Sequence, residues 1–138
     1  MLSSIVLLGS VAIELSVLAQ GERTTATGVY TEAQAKRGAQ VYAESCTTCH
    51  GADLKGNATT PGLAGPEFEA FWRDQPLGDL YERISVTMPK SAPGSLKPEQ
   101  SADALAFLLS EMKEPAGQTE LPATLDDLRT IKIRPATP

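Results

Sequence analysis

Cys46-Thr47-Thr48-Cys49-His50 is the stretch on which the reading of the whole chain turns. Two thiols three residues apart can reach two neighbouring vinyl groups of one porphyrin, and a histidine next in sequence is then carried beneath its iron. The competing uses of such a pair each require something this chain lacks. Tetrahedral zinc wants four ligands, often from two separated pairs, whereas the 2 cysteines and the 1 histidine of the 138-residue chain all lie in this one cluster. A redox-active dithiol belongs in a strand-helix-strand context, and no such pattern surrounds the segment. It therefore reads as the covalent attachment site of one haem c through Cys46 and Cys49, with His50 as an axial ligand of the iron. No cysteine remains for a disulfide framework, so any staple in this fold has to come from the ligand.

The second axial ligand must come from elsewhere in the chain, and a bis-histidine iron is excluded within a monomer because His50 has no companion. Methionine is the natural alternative, and the chain has 3. Met1 belongs to the apolar N-terminus, and Met112 continues the apolar face of a helix, where packing suits it. Met88 precedes Pro89, which disfavours helical geometry at Met88 and places its thioether in a loop between helices, able to project inward. The competing reading of Met88 is a surface or gap-filling side chain. A soft, neutral thioether favours ferrous iron and raises the reduction potential, so His50 with Met88 makes a one-electron site. With both axial positions filled, no coordination site is left for oxygen, peroxide or a substrate, and catalysis is not expected. The chain reads as an electron-transfer protein without catalytic residues.

Outward from the motif, Thr31-Glu32-Ala33-Gln34 has the form of a capping box and predicts a helix over 32–45. Gly38 and Tyr42, four apart, share one of its faces, a small residue beside a large one, which lets a second helix cross closely. Pro98-Glu99 suits the first turn of that second helix. There Ala102, Leu105, Ala106, Leu109 and Met112 recur at helical spacing until Pro115 and Gly117 end the pattern. Between the two lie a Gly- and Pro-rich loop over 51–66, an apolar segment around Phe68, Phe71 and Trp72, and a helix expected to begin near Asp79 with Asp79 as its cap. No period-2 run precedes the tail, so the fold class is all-α. The segment 31–113 is short for a core made of side chains alone, and a buried apolar cofactor resolves that.

The termini read differently. Residues 1–19 have the form of a signal peptide, with an apolar run over 5–13 and small residues before Gln20; no Lys or Arg precedes the run and Glu14 interrupts its far end, so an uncleaved anchor or a mis-assigned start are the competing readings. Residues 20–30 read as a flexible lead-in, 31–113 as the haem domain, and 114–138 as an extended tail in which Ile131 and Ile133 alternate with polar residues. The net charge of −5, with 12 Lys and Arg scattered along the chain, excludes a nucleic-acid footprint. Paired acids such as Asp126-Asp127 fall in the polar tail, without a pocket to shift their pKa values.

Taken in order, Gly38 and Tyr42, the Cys46-to-His50 motif, Pro61-Gly62-Leu63, Trp72, Met88-Pro89 and the Ala106-Phe107-Leu108-Leu109 helix resemble the class I cytochrome c family. The resemblance covers about residues 31–113 and implies N- and C-terminal helices crossing, with shorter helices around one covalently bound haem. It implies that Pro61 offers its carbonyl to His50, fixing the ring, and that Trp72 hydrogen-bonds a haem propionate; simple core packing is the other reading of Trp72. The pattern Pro93-Gly94-Ser95-Leu96 after Met88-Pro89, followed by Pro115-Ala116-Gly117, resembles bacterial cytochromes c that serve quinoprotein-type dehydrogenases. What the resemblance implies is an exported, periplasmic single-electron carrier between a dehydrogenase or cytochrome complex and a terminal oxidase. It would be a monomer in transient complexes, without stable membrane insertion once the signal is removed. Two alternatives stay open, an electron-transfer subunit bound stably to a dehydrogenase and a five-coordinate haem sensor or enzyme. The acidic balance departs from the basic docking face of mitochondrial relatives, and Lys55, Lys90 and Lys97 are either a ring around the haem edge or ordinary solvated lysines.

Overall fold

A computed structural model describes residues 22–134 of the protein; the expected signal segment 1–19 lies outside the described residues. Helix α1 spans Glu32–Ser45 and starts where Thr31 leaves an extended conformation, its hydroxyl accepting the Gln34 backbone N–H at 3.1 Å. Only this half of the anticipated capping box forms, because the Gln34 side chain is engaged elsewhere. Helix α5 (Pro98–Glu111) opens on proline, and the Gln100 carboxamide accepts the Lys97 backbone N–H at 3.0 Å. The two helices cross at Gly38, where a Cβ would run into the Asp103 carbonyl and lie 2.9 Å from the Phe107 Cβ. The contact is closed by absence of a side chain. The α5 stripe expected to face inward, including Leu105, Leu109 and Met112, is buried.

Between them lie α2 (Thr47–His50), α3 (Pro66–Trp72) and α4 (Leu77–Thr87). The apolar segment around Phe68 is thus a helix, with Pro66 at its first position, where a missing N–H costs nothing. Helix α4 begins two residues before the expected Asp79, with Pro76 at the cap position. Asp79 does not cap it; its carboxylate sits in the first turn, favourable to the dipole, and 3.6 Å from Arg129.

The ends of the described chain correct the sequence reading most. The lead-in expected to be flexible holds a two-residue strand β1 (Arg23–Thr24) and a 3₁₀ turn (Thr25–Thr27), with Thr25, Val29 and Tyr30 all buried. The tail expected to be merely extended contains α6 (Leu125–Arg129) before β2 (Ile131–Lys132), which pairs in parallel with β1. Leu121, Leu128, Ile131 and Ile133 belong to the same core as Leu105 and Leu109, so 114–134 is a strap packed into the domain. Specific bonds hold it there: Gln34 grips Leu121 through Nε2 to O at 3.1 Å and N to Oε1 at 2.8 Å, and Tyr81 donates to the Ala123 carbonyl at 3.1 Å. Among the described residues β1 and β2 form the single sheet, and the architecture is the expected all-α one.

Candidate functional site

Helix α1 runs almost directly into the motif. The Cys46 N–H closes the last turn on the Tyr42 carbonyl at 2.9 Å, and α2 follows with His50 N–H on the Cys46 carbonyl at 2.9 Å. One helical turn therefore separates Cys46 from Cys49, which puts both sulfurs on one side. Cys46 is half-buried and Cys49 exposed, and no disulfide joins them. Burial, reinforced by Cys49, pushes the Cys46 thiol up. Its surroundings are apolar: Cys46 packs against the cluster of Tyr42, Leu54 and Leu108, on which Leu63 and Ile84 also pack.

The His50 side of the site is built by the loop that follows. His50 is buried, and its Nδ1 lies 2.9 Å from the Pro61 carbonyl oxygen. A carbonyl can only accept, so Nδ1 carries the proton and the Nε2 lone pair is free for a metal. The loop is pinned to α2 twice, by the Gly56 N–H on the His50 carbonyl at 2.8 Å and by the Asn57 Nδ2 on the Cys49 carbonyl at 3.2 Å. Gly56 has φ +68, and a Cβ there would lie 2.7 Å from the Pro61 oxygen. Glycine is needed for both the turn and the approach of Pro61. Sequence reasoning passed over Gly56 and Asn57. The available signal was the Asn57-Ala58-Thr59-Thr60 string, since asparagine side chains commonly bond the backbone two residues on.

Tyr42 spans the top of this frame, donating to the Gly51 carbonyl at 2.7 Å while its ring tilts against Phe107 at 5.1 Å. Burial pushes its phenol up to about 12. Met88 caps α4 with extended backbone (φ −116, ψ 157), the geometry proline imposes on its predecessor, and is half-buried. Ile84, one turn earlier, packs on the same apolar cluster as Cys46, so the end of α4 borders that cluster. Met112 lies instead in the main core with Leu105 and Leu109. Trp72 is buried at the end of α3, its ring 5.2 Å from Phe71 edge-on and 6.2 Å from Phe68. Lys55, Lys90 and Lys97 are exposed, and Lys55 sits 3.6 Å from Asp53. Two cysteines on one helical turn, an apolar wall and an imidazole with its outer nitrogen occupied fit a covalently held porphyrin.

A family model described as cytochrome c oxidase, cbb3-type, subunit III matches residues 33–108. Among curated proteins, the cytochrome c-551 of Bacillus subtilis (strain 168) is 32% identical over 95 residues, spanning 67% of this chain and 76% of the relative. Among solved structures, the sulfane dehydrogenase SoxCD from Paracoccus pantotrophus gives a TM-score of 0.51 at 18% identity, over 91% of this chain and 67% of that chain. At that identity the likeness is one of fold. The range matched by the family model, 33–108, holds the Cys46-to-His50 motif, Pro61, Trp72 and Met88, and ends before the strap.

Proposed function

From the premise that this chain belongs to the class I cytochrome c family and carries covalently bound haem c, we propose that it is a single-electron carrier with His50 and Met88 as axial ligands. When bound, the haem supplies an iron that takes up and returns one electron. The observation that carries the reading is the His50 Nδ1 to Pro61 contact at 2.9 Å, which leaves the lone pair of the opposite nitrogen for the iron and raises its basicity. Cys46 and Cys49 anchor the ring through thioether bonds. Met88 offers a neutral thioether that favours the reduced state. The apolar wall around Cys46 excludes water, and Trp72, at the end of α3, holds a propionate.

In this reading the protein is exported to the periplasm and exchanges electrons in brief encounters, as small redox interfaces allow. Its donor is a dehydrogenase or cytochrome complex and its acceptor an oxidase. A second reading, a subunit held stably on a dehydrogenase, is favoured by one observation: Phe71 and Val86, 67% and 59% exposed, line the same surface hollow between α3 and α4. A sulfane dehydrogenase chain of the same fold is compatible with it. Co-purification of a stoichiometric catalytic partner decides for the subunit.

The test of the carrier is spectroscopic. Ferric protein should show the near-infrared methionine-to-iron charge-transfer band, and reduced protein should bind carbon monoxide slowly. Absence of the band with rapid carbon monoxide binding means a five-coordinate iron and sinks the carrier reading.

A further inference from the structure

The geometry points to Asn57 as a positioning residue that sets the strength of the His50–Pro61 hydrogen bond and, through it, the reduction potential. The inference rests on the proposed role of His50 as an axial ligand. It starts from a single side chain that makes four bonds. The Oδ1 of Asn57 accepts from the Thr59 N–H and the Thr59 hydroxyl, both at 2.9 Å, and from the Thr60 N–H at 3.1 Å. Its Nδ2 reaches across to the Cys49 carbonyl at 3.2 Å. The Asn57 backbone adds an N–H to the Thr60 carbonyl at 2.8 Å. One amide thus ties the two residues before Pro61 to the helical turn that carries the sulfur anchors and His50.

Asn57 is exposed and touches neither His50 nor Pro61 by any of these bonds. Its effect is transmitted through backbone, because Thr60 is covalently joined to Pro61. Gly56 supplies the room and Asn57 supplies the hold. A partner fixed at short range on the outer nitrogen makes the imidazole more electron-rich and stabilises ferric iron. Loosening Thr59 and Thr60 lengthens that bond, weakens the donation and shifts the couple toward reduced iron.

The experiment uses the mature full chain. Asn57→Ala is expected to shift the equilibrium about threefold toward the reduced form, a rise of ~30 mV at 59 mV per tenfold for one electron, and to speed solvent exchange of the His50 Nδ1 proton in the reduced protein. Asn57→Ser keeps an oxygen that can accept within the turn but cannot reach Cys49, so it should move both readings in the same direction by less. Gln34→Ala, which loosens the strap on the far side of α1, should lower the melting midpoint while leaving the potential and the exchange rate where they are. If Asn57→Ala does not mature, the Asn57→Ser shift decides. Variants that lower stability with potential and Nδ1 exchange unchanged overturn the proposal and make Asn57 a purely structural turn residue. Failure of the carrier reading is separately visible, since it shows in the wild-type spectrum before any variant is compared.

Discussion

Gln34 and Leu121, 87 residues apart in sequence, hold each other through a closed pair of hydrogen bonds, side-chain amide against backbone amide. Gln34 is 2% exposed and Leu121 3%, so neither Leu121 group has water to fall back on. Gln34→Ala strands a buried donor and a buried acceptor, which costs roughly 2–4 kcal/mol. The expected result is a fall in Tm of roughly 10 °C for a domain of this size, with the haem spectrum unchanged. A variant that melts like the parent would mean that the strap is held by its apolar side chains alone.

The crossing of α1 and α5 makes an opposing prediction to helix propensity. Alanine at position 38 should stabilise an exposed helix by about 1 kcal/mol over glycine. At this site its Cβ meets the Asp103 carbonyl and the Phe107 side chain, and prising the helices apart costs about 3 kcal/mol. Gly38→Ala should therefore lower the denaturation midpoint and disturb haem attachment, because the same helix delivers Tyr42 and Cys46. A neutral or stabilised variant would show that the crossing is looser than its backbone geometry implies.

What was legible in the sequence was whatever depends on neighbours in the chain. The helix after Thr31, the helix opened by Pro98 and the small residue at their crossing follow from caps and spacing, and the haem motif is local by nature. What was not legible depends on partners far away. Glu22 meets Lys132 at 2.8 Å and Thr25 meets Arg134 at 3.0 Å, and no pattern inside residues 22–30 announces that a tail will come to cover them. The polar Thr-rich lead-in looked loose for that reason. Gln34 misled differently, since a capping box and a tail clamp use the same residue and only the tail's arrival chooses between them.

Acid should loosen the strap first. Glu22 is held below the ordinary carboxylate range chiefly by the hydrogen bond from Lys132, Asp74 by that from Arg134, and Glu120 by that from Arg37. A carboxyl whose pKa is lower in the folded state adds stability above its unfolded pKa and loses it as the pH falls through the folded value. The urea midpoint should hold above about pH 5 and then decline as the pH drops below about 4. These groups are exposed, so the effect is modest and about 0.5 M salt should flatten it. Arg134→Ala should remove the part owed to Asp74 and reduce the part owed to Glu22. An acid limb that ignores both salt and Arg134 would assign acid sensitivity to buried groups instead.

The described methionines, Met88 and Met112, differ in their surroundings, and that difference separates the proposed ligand from a core side chain. Met112 is 5% exposed in the main core with Leu105 and Leu109, whereas Met88 is half-buried at the end of α4, one turn beyond Ile84, which packs on the same apolar cluster as Cys46. Removing a buried side chain and removing a ligand have different signatures. Met112→Ala should cost about 2–5 kcal/mol in stability, with the near-infrared band and the potential retained. Met88→Ala should cost little stability in the apoprotein, abolish the band, open the iron to carbon monoxide and move the couple at least about tenfold toward ferric, a fall of ~60 mV or more at 59 mV per tenfold. Both variants are read by the same near-infrared scan and redox titration. Loss of the band in Met112→Ala, with Met88→Ala unaffected, would reverse the assignment and require α5 to rotate its inner face toward the haem.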